Sequence, residues 1–459
     1  MQAQPINVAD VVATQSRNAL VTRLIVISTL LMLVDGFDLQ TIAFAAPSII
    51  ADWKVDRSLF GPVFSAGLAG LMVGSILFGY LGDRLGRRPT ILLAIAIVGI
   101  FTTATIFASD LKHLLGLRFL TGIGVGGLTP ICYALCIEYT PPQRRGFIIA
   151  VIMFGYVLGS SLGGLLAAWI IPSYGWHAVF IAGGIPALLL LLVAYQWIPE
   201  SLEFLIRRDP RSTQAASIVS AITGRPVPVG TAFTSSQDAQ TAADTSVIAI
   251  VRSLFSPDLR LSTAVIWLAY IASSLTMFFL ISWMPVLIES FGRNVSEAAI
   301  ALTILSLGGA CGGLLAGHIV DRYGALGLMI MPLIAGPIAA SLGYIRLDTL
   351  FYLVVVFVTG FFVVGSHQGL NSTVGKLYPS ERRANGVGLA LAVAKFGAIF
   401  GPLLGGLLIA AKVDRSTLFL ATALPEIVVF LCLLILGSRR RAAVSEPAFQ
   451  AATPILDKR

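Results

Sequence analysis

Two carboxylates three positions apart, Asp35 and Asp38 of Asp35-Gly36-Phe37-Asp38, lie inside an apolar run at residues 22–46. On a helix that spacing puts both on one face. Each ionisable group at the centre of a bilayer costs about 2.5–3.5 kcal/mol on insertion scales. Like charges in one low-dielectric site cannot both ionise cheaply, so at least one is expected to hold a proton near neutral pH. That is the chemistry of a proton-coupling site; the competing reading is a pair that caps or bridges a neighbouring helix. Arg118 opens Arg118-Phe-Leu-Thr121-Gly122-Ile-Gly124-Val-Gly126-Gly127 in another apolar run, where the glycines allow close packing and the guanidinium needs an anion. An aspartate of the first run or a substrate carboxylate could supply it. Alternation between the two would couple substrate to proton, whereas permanent pairing would be structural. Lys395 is either a second counter-charge for an anionic substrate or a side chain snorkelling to an interface. His367, Gln368 and Asn371 in one run, and Trp267 and Tyr270 in another, offer amide and aromatic contacts to a ring, or ordinary packing. Glu426, after Pro425, reads equally as a second proton site or a packed, protonated acid.

The elements that must hold these groups are membrane helices. Of the residues, 56% are hydrophobic and 12% charged, with a mean hydropathy of +0.88, about half the charge of an ordinary soluble domain. Twelve apolar runs approach the roughly 20 residues that cross a bilayer: 22–46, 60–80, 90–109, 113–135, 146–171, 178–198, 260–285, 296–319, 326–345, 350–374, 385–411 and 416–437. The expected fold class is an all-α integral membrane protein of twelve transmembrane helices in two six-helix bundles. Residues 1–198 form the first bundle, 199–259 a cytoplasmic linker, 260–438 the second bundle and 439–459 a cytoplasmic tail.

Of the 31 Lys and Arg, seven fall on one side of this arrangement (Lys54, Arg57, Lys112, Arg293, Arg346, Lys412, Arg415), two deep within spans (Arg118, Lys395) and 22 on the other side, counting Arg23 and Arg260 at the span ends. Basic residues favour the cytoplasm, so both termini are expected there. The first 16 residues lack the short apolar core of a signal peptide. The linker middle, Thr223 to Ser246, reads as flexible, and the Pro199-Glu200-Ser201 segment running to Arg208 as amphipathic and lying at the membrane surface. Cys132, Cys311 and Cys432 fall in spans, Cys136 at the end of one, and they form no CxxC pair.

The chain also repeats itself. Gly79-Tyr-Leu-Gly-Asp83-Arg84-Leu-Gly86-Arg87-Arg88 has a worn copy, Gly317-His-Ile-Val-Asp321-Arg322-Tyr-Gly324, 238 positions later. Pro141-Pro-Gln-Arg-Arg145 and Pro379-Ser-Glu-Arg-Arg383 share that offset. Parallel repeats of this kind build one large class of secondary transporters. Asp83 or Asp321 at one helix end is expected to pair with an arginine at the start of another, closing the cytoplasmic side. Glu138, at a helix end beside Arg145, reads as a further gate charge. Motifs for ATP binding, metal-dependent hydrolysis or serine hydrolysis are absent, so neither catalysis nor a cofactor is expected.

These loop signatures resemble the major facilitator superfamily over all twelve helices. Within it Asp35-Gly-Phe-Asp38, Arg118 with Thr121-Gly-Ile-Gly, Pro199-Glu-Ser and Gly369-Leu-Asn371 resemble the aromatic acid:proton symporter family. The resemblance implies a multi-pass protein of the bacterial inner membrane that imports a benzoate-class anion with protons. Its functional positions would be Asp35, Asp38, Arg118, Glu138, Asp321 and Arg383. Two positions depart from the pattern: Lys395 stands where the family commonly has arginine, and His367 where related chains carry glutamine. The partners implied are a small aromatic anion, protons and the lipid bilayer. A sugar or drug carrier of the same superfamily is one rival reading, and a membrane sensor of aromatic acids the other.

Overall fold

A computed structural model describes residues 5–15, 18–228, 230–234, 247–345 and 350–451, without side-chain detail at 247, 380 and 439–451. A two-residue strand β1 (Ile6–Asn7) and helix α1 (Val8–Thr14) precede six long helices: α2 (Ala19–Trp53), α3 (Phe60–Leu85), α4 (Arg87–Ala104), α5 (Leu111–Glu138), α6 (Arg145–Tyr174) and α7 (His177–Trp197). The connection carries α8 (Leu202–Arg208), α9 (Thr213–Thr223), strand β2 (Phe233–Thr234) and α10 (Val247–Leu254). The second series is α11 (Arg260–Ser290), α12 (Val295–Leu328), α13 (Ile330–Ser341), α14 (Leu350–Leu377), α15 (Ser380–Ala410), α16 (Arg415–Ala421) and α17 (Ala423–Ala451).

Side-chain caps set where several helices start. Asn18 accepts from the Val21 amide at 2.9 Å to open α2, and Asp110 from the His113 amide at 2.8 Å to open α5. Asp414 opens α16; hydrogen bonds from Ser416 and Thr417 hold its carboxyl down at about 2. Pro425 has no N–H to offer the Ala421 carbonyl, and the helix is interrupted at Thr422. Among the described residues eleven helices are long and apolar enough to cross a bilayer, with α16 and α17 counted as one. The ninth expected span is the exception. Gly324, at φ 66 and ψ −156, breaks α12, and α13 supplies only 12 residues, about 18 Å of rise.

The repeat extends to backbone contacts. A Cβ on Gly70 or Gly74 of α3 would sit 2.0 Å from the carbonyl oxygen of Phe119 or Ile123 in α5. At the repeat positions, Gly308 and Gly312 of α12 would meet Phe357 and Phe361 of α14 at 2.1 and 1.9 Å. Gly159 of α6 against Leu33 of α2, at 1.9 Å, recurs as Gly397 of α15 against Ile271 of α11, at 2.1 Å. With little hydrophobic force between helices in lipid, small residues that let backbones touch are what hold such pairs. Pro47 in α2 recurs as Pro285 in α11.

Contacts divide the chain into two units, Met1–Asp244 with Pro285–Thr303, and Thr245–Met284 with Ile304–Arg459. In the first, Arg57 and Glu289 pair at 3.2 Å, and Ser296 donates to the Ala168 carbonyl.

The connection differs from its sequence reading. Leu202, Leu205 and Ile206 of α8 are buried in the first unit's core beside Tyr139, so the apolar face of this segment is covered by protein. Part of the linker middle is also ordered: β2 pairs in parallel with β1, Ile6 opposite Phe233, and the Phe233 amide donates to the Pro210 carbonyl at 2.8 Å. Val8 and Val12 of α1 bury with Ile218, Val219 and Ile222 of α9. Seven- and eleven-residue helices that are marginal alone are stabilised by this shared burial. Residues 235–246 of the expected flexible stretch lie outside the described residues.

Candidate functional site

The first unit holds a buried ion pair. Asp38 of α2 and Arg118 of α5 are 4% and 3% exposed, with Nη1 3.7 Å from Oδ1. Thr102 of α4 donates to the same Asp38 oxygen. Arg118 Nη2 donates to Thr105 at 2.8 Å and Thr121 at 3.3 Å, and the guanidinium lies 5.0 Å from the Phe180 ring centre in α7. The arginine is thus held by hydroxyls and an aromatic face as well as by its carboxylate. Its Nε is buried with no hydrogen-bond partner among the described residues. Asp35, 2% exposed, accepts from Thr129 of α5 at 2.8 Å. Both aspartates turn to α5, with separate partners.

In the second unit the structure brings together three of the five ring-contact candidates, while Trp267 stands edge-on to Phe255 at 5.2 Å. Tyr270 of α11, fully buried, donates to Asn371 Oδ1 at 2.8 Å. His367, one turn from Asn371 on α14, stands edge-on to the Tyr270 ring at 5.8 Å and shares a hydrogen bond with Ser273 at 3.2 Å. Gln368 turns away: its amide covers Gly313 of α12. Lys395 is half-buried on α15.

The loop motifs are rearranged relative to expectation. Glu138, at the end of α5, pairs with Arg87 at the start of α4 and accepts from the Ser201 hydroxyl at 3.0 Å. One oxygen of Glu200 accepts three backbone amides, Arg87 at 2.8 Å, Arg88 at 3.1 Å and Ser201 at 2.8 Å. This is an anion at the amino end of α4, where free N–H groups and the helix dipole favour it. Gly86 makes the approach possible: its φ is +99°, and a Cβ would lie 2.4 Å from the Glu200 carboxylate. Arg88 reaches the Tyr195 carbonyl at 2.6 Å.

Asp83, expected to pair with an arginine, is exposed and makes no ion pair among the described residues. Arg84 stacks on Tyr80, and Arg145 donates to the Thr140 carbonyl at 3.3 Å. In the second unit Asp321 pairs at 2.7 Å with Lys376, which stands 238 positions after Glu138, and not with an arginine. Arg322 lies over Tyr323, Arg383 is exposed, and its neighbour Arg382 docks on Ser253 and Ser256. The sequence reading missed Thr102, Thr105, Thr129, Phe180 and Lys376. The threonines carry no charge to mark them; the repeat offset from Glu138 would have found Lys376.

The sequence profile of the Major Facilitator Superfamily matches residues 29–255 and 266–459. The chain is 35% identical to the gallate transporter of Pseudomonas putida, over 96% of this chain and 97% of that one. It is 33% identical to the 4-hydroxybenzoate transporter PcaK of the same organism, over 84% of this chain and 86% of that one. Among solved structures, the partially occluded inward open xylose transporter XylE from E. coli superposes with a TM-score of 0.68 at 20% identity, covering 90% of this chain and 96% of that one.

Proposed function

The chain belongs to the major facilitator superfamily and, within it, to the aromatic acid:proton symporter family, and we propose that it imports an aromatic carboxylate together with protons across the bacterial inner membrane by alternating access. The observation that carries this reading is the buried Asp38–Arg118 pair. Two charges held in a hydrocarbon-spanning bundle are costly, and a paired arginine is the group best suited to trade one carboxylate for another.

Protonation of Asp38 removes its charge and releases Arg118 from a 3.7 Å partner, while Thr105, Thr121 and Phe180 keep the guanidinium in place. A substrate carboxylate then takes the vacated position. Loss of the proton restores the pair and expels the anion. Asp35, bonded to Thr129, is the second titrating candidate. The Tyr270–His367–Asn371 cluster provides an edge, a ring and an amide suited to a hydroxylated aromatic. Lys395 offers a further positive charge without the planar fork of arginine. In this reading Glu138, Arg87 and Glu200 hold the loop side of the first unit, and Asp321–Lys376 that of the second. Each positive charge moving inward gains about 2.3 kcal/mol per 100 mV, so more than one proton per monoanion makes uptake concentrative.

The test is reconstitution in liposomes holding a pH dye, with gallate, 4-hydroxybenzoate, benzoate and xylose added in turn and weak-acid leakage subtracted. Internal acidification driven by an aromatic acid, absent in Asp38→Asn, is expected. Acidification with xylose alone, or with no aromatic acid, overturns the reading.

A further inference from the structure

At the repeat positions of Asp35 and Asp38 the second unit has Ser273 and Thr276, neither of them an acid. An acid reaches the same place from another helix. Glu426, on α17, is fully buried, and neither carboxyl oxygen has a hydrogen-bond partner among the described residues. Thr276 stands beside it, its hydroxyl directed to the Thr422 carbonyl at 3.3 Å. The packed helices bring it no cation among the described residues. α13 has no ionisable residue, and α11 has none between Arg260 and Glu289 except Tyr270, which is bonded to Asn371. Arg415, opening α16, is spent on the carbonyls of Leu342 and Ile345.

A carboxylate without cation or donors in this setting is costly, so the resident form carries a proton. A neutral carboxyl whose neighbouring hydroxyl, that of Thr276, is turned to the Thr422 carbonyl adds little to the bundle that an apolar side chain would not. The Thr276 hydroxyl beside it is a group through which a proton can pass. A route exists on one face of α11. His367 shares a hydrogen bond with Ser273, and Ser273 and Thr276, at i and i+3, are neighbours about 5–6 Å apart, within the span of one water. The line runs from the Tyr270–His367–Asn371 cluster to Glu426. Tyr270 and His367 are its ionisable members.

We propose that Glu426 is a second proton-carrying site of the transport cycle, loaded and emptied along the Ser273–Thr276 line, and standing where the repeat would otherwise place Asp38. The proton comes from solvent on the loading side and leaves to solvent on the other, with nothing else consumed. The proposal rests on the proton-coupled reading above, deepening it with a second carrier.

The test measures the proton-to-substrate ratio in proteoliposomes, from the membrane potential that just stops uptake, using whichever of gallate, 4-hydroxybenzoate and benzoate the wild type takes up. Glu426→Gln is expected to lower the ratio by one proton while keeping substrate counterflow, which needs no net proton movement. Glu426→Asp is expected to keep the wild-type ratio. An unchanged ratio in Glu426→Gln overturns this proposal alone; a wild type that moves no protons overturns symport and this proposal together. Should Glu426→Gln show no counterflow, the wild type is treated with a hydrophobic carbodiimide, which attacks protonated carboxyls. Labelling of Glu426 that falls as pH rises supports the proposal, and labelling independent of pH or absent overturns it.

Discussion

The two repeats share a skeleton and differ in what it encloses. Each glycine crossing described in α3–α5 and α2–α6 recurs in α12–α14 and α11–α15 at the same offset. Even one polar contact survives in position: Thr129 donating to Asp35 in the first unit corresponds to His367 sharing a hydrogen bond with Ser273 in the second. The buried charges do not survive, although Asp83, Arg84 and Arg145 at the loop ends keep Asp321, Arg322 and Arg383 as counterparts. Asp38 and Arg118 have Thr276 and Val356 as repeat counterparts, and Glu138 has Lys376. Backbone contact is set by small residues and tolerates little drift, whereas polar groups inside the frame are free to diverge. The first unit carries a buried ion pair, the second an aromatic and amide cluster with a buried acid that has no cation beside it among the described residues.

The sharpest way to break that contrast is Asp38→Asn beside its counterpart Thr276→Val. The first strands a buried arginine and should cost about 3–5 kcal/mol of unfolding free energy, read by thermal melting in detergent, with active uptake abolished. The second removes one neutral hydrogen bond, worth about 1 kcal/mol. Equal losses would mean that the pair is not under strong mutual compensation. Next come the matched crossings. Gly70→Ala and Gly308→Ala should each destabilise by about 1–3 kcal/mol through backbone overpacking, and a large imbalance in the melts would show that only one repeat depends on close approach.

At the loop ends, Glu138→Gln leaves the buried side of Arg87 unneutralised, for about 1–3 kcal/mol, and should raise protease sensitivity between α3 and α4. Asp83→Asn, at an exposed site, should stay within about 0.5 kcal/mol. Asp321→Asn falls between them, at about 0–1 kcal/mol, because Asp321 itself is solvent-exposed in its pair with Lys376. A larger loss from Asp83→Asn than from Glu138→Gln in the melts would restore the arrangement expected from the motif alone.

What the residues disclosed follows from how rare each signal is. A charge inside an apolar run is uncommon, so Asp35, Asp38 and Arg118 stood out, and the repeat exposed the two-part architecture. The partners of the loop charges did not, because Asp83 and Glu138 are both acids at helix ends. The choice between them turns on Gly86, whose φ of +99° brings Arg87 and Arg88 round to Glu138 and Glu200. Spacing alone does not sort Gln368 from His367 and Asn371, since Gln368 is next to the first and three residues from the second; its amide is instead drawn to Gly313 of α12. The short helices α1 and α9 carry too few apolar residues to announce themselves; only their mutual burial fixes them. The ninth apolar run is filled by a shorter helix, Ile330–Ser341, after the break at Gly324, a division that an apolar run does not reveal.

The pairing of Ile6 with Phe233 has a consequence for biosynthesis. The strand at the start of the chain has no partner until more than two hundred further residues have been made, which at about 5–20 residues per second is roughly 10–40 s of translation. Six long helices leave the ribosome in that interval. Val8 and Val12 then find Ile218 and Val219, so docking of the amino-terminal strap reports that the first bundle has been synthesised, and a pulse-labelled nascent chain should acquire protease resistance at residues 6–14 only after residue 234 has cleared the exit tunnel.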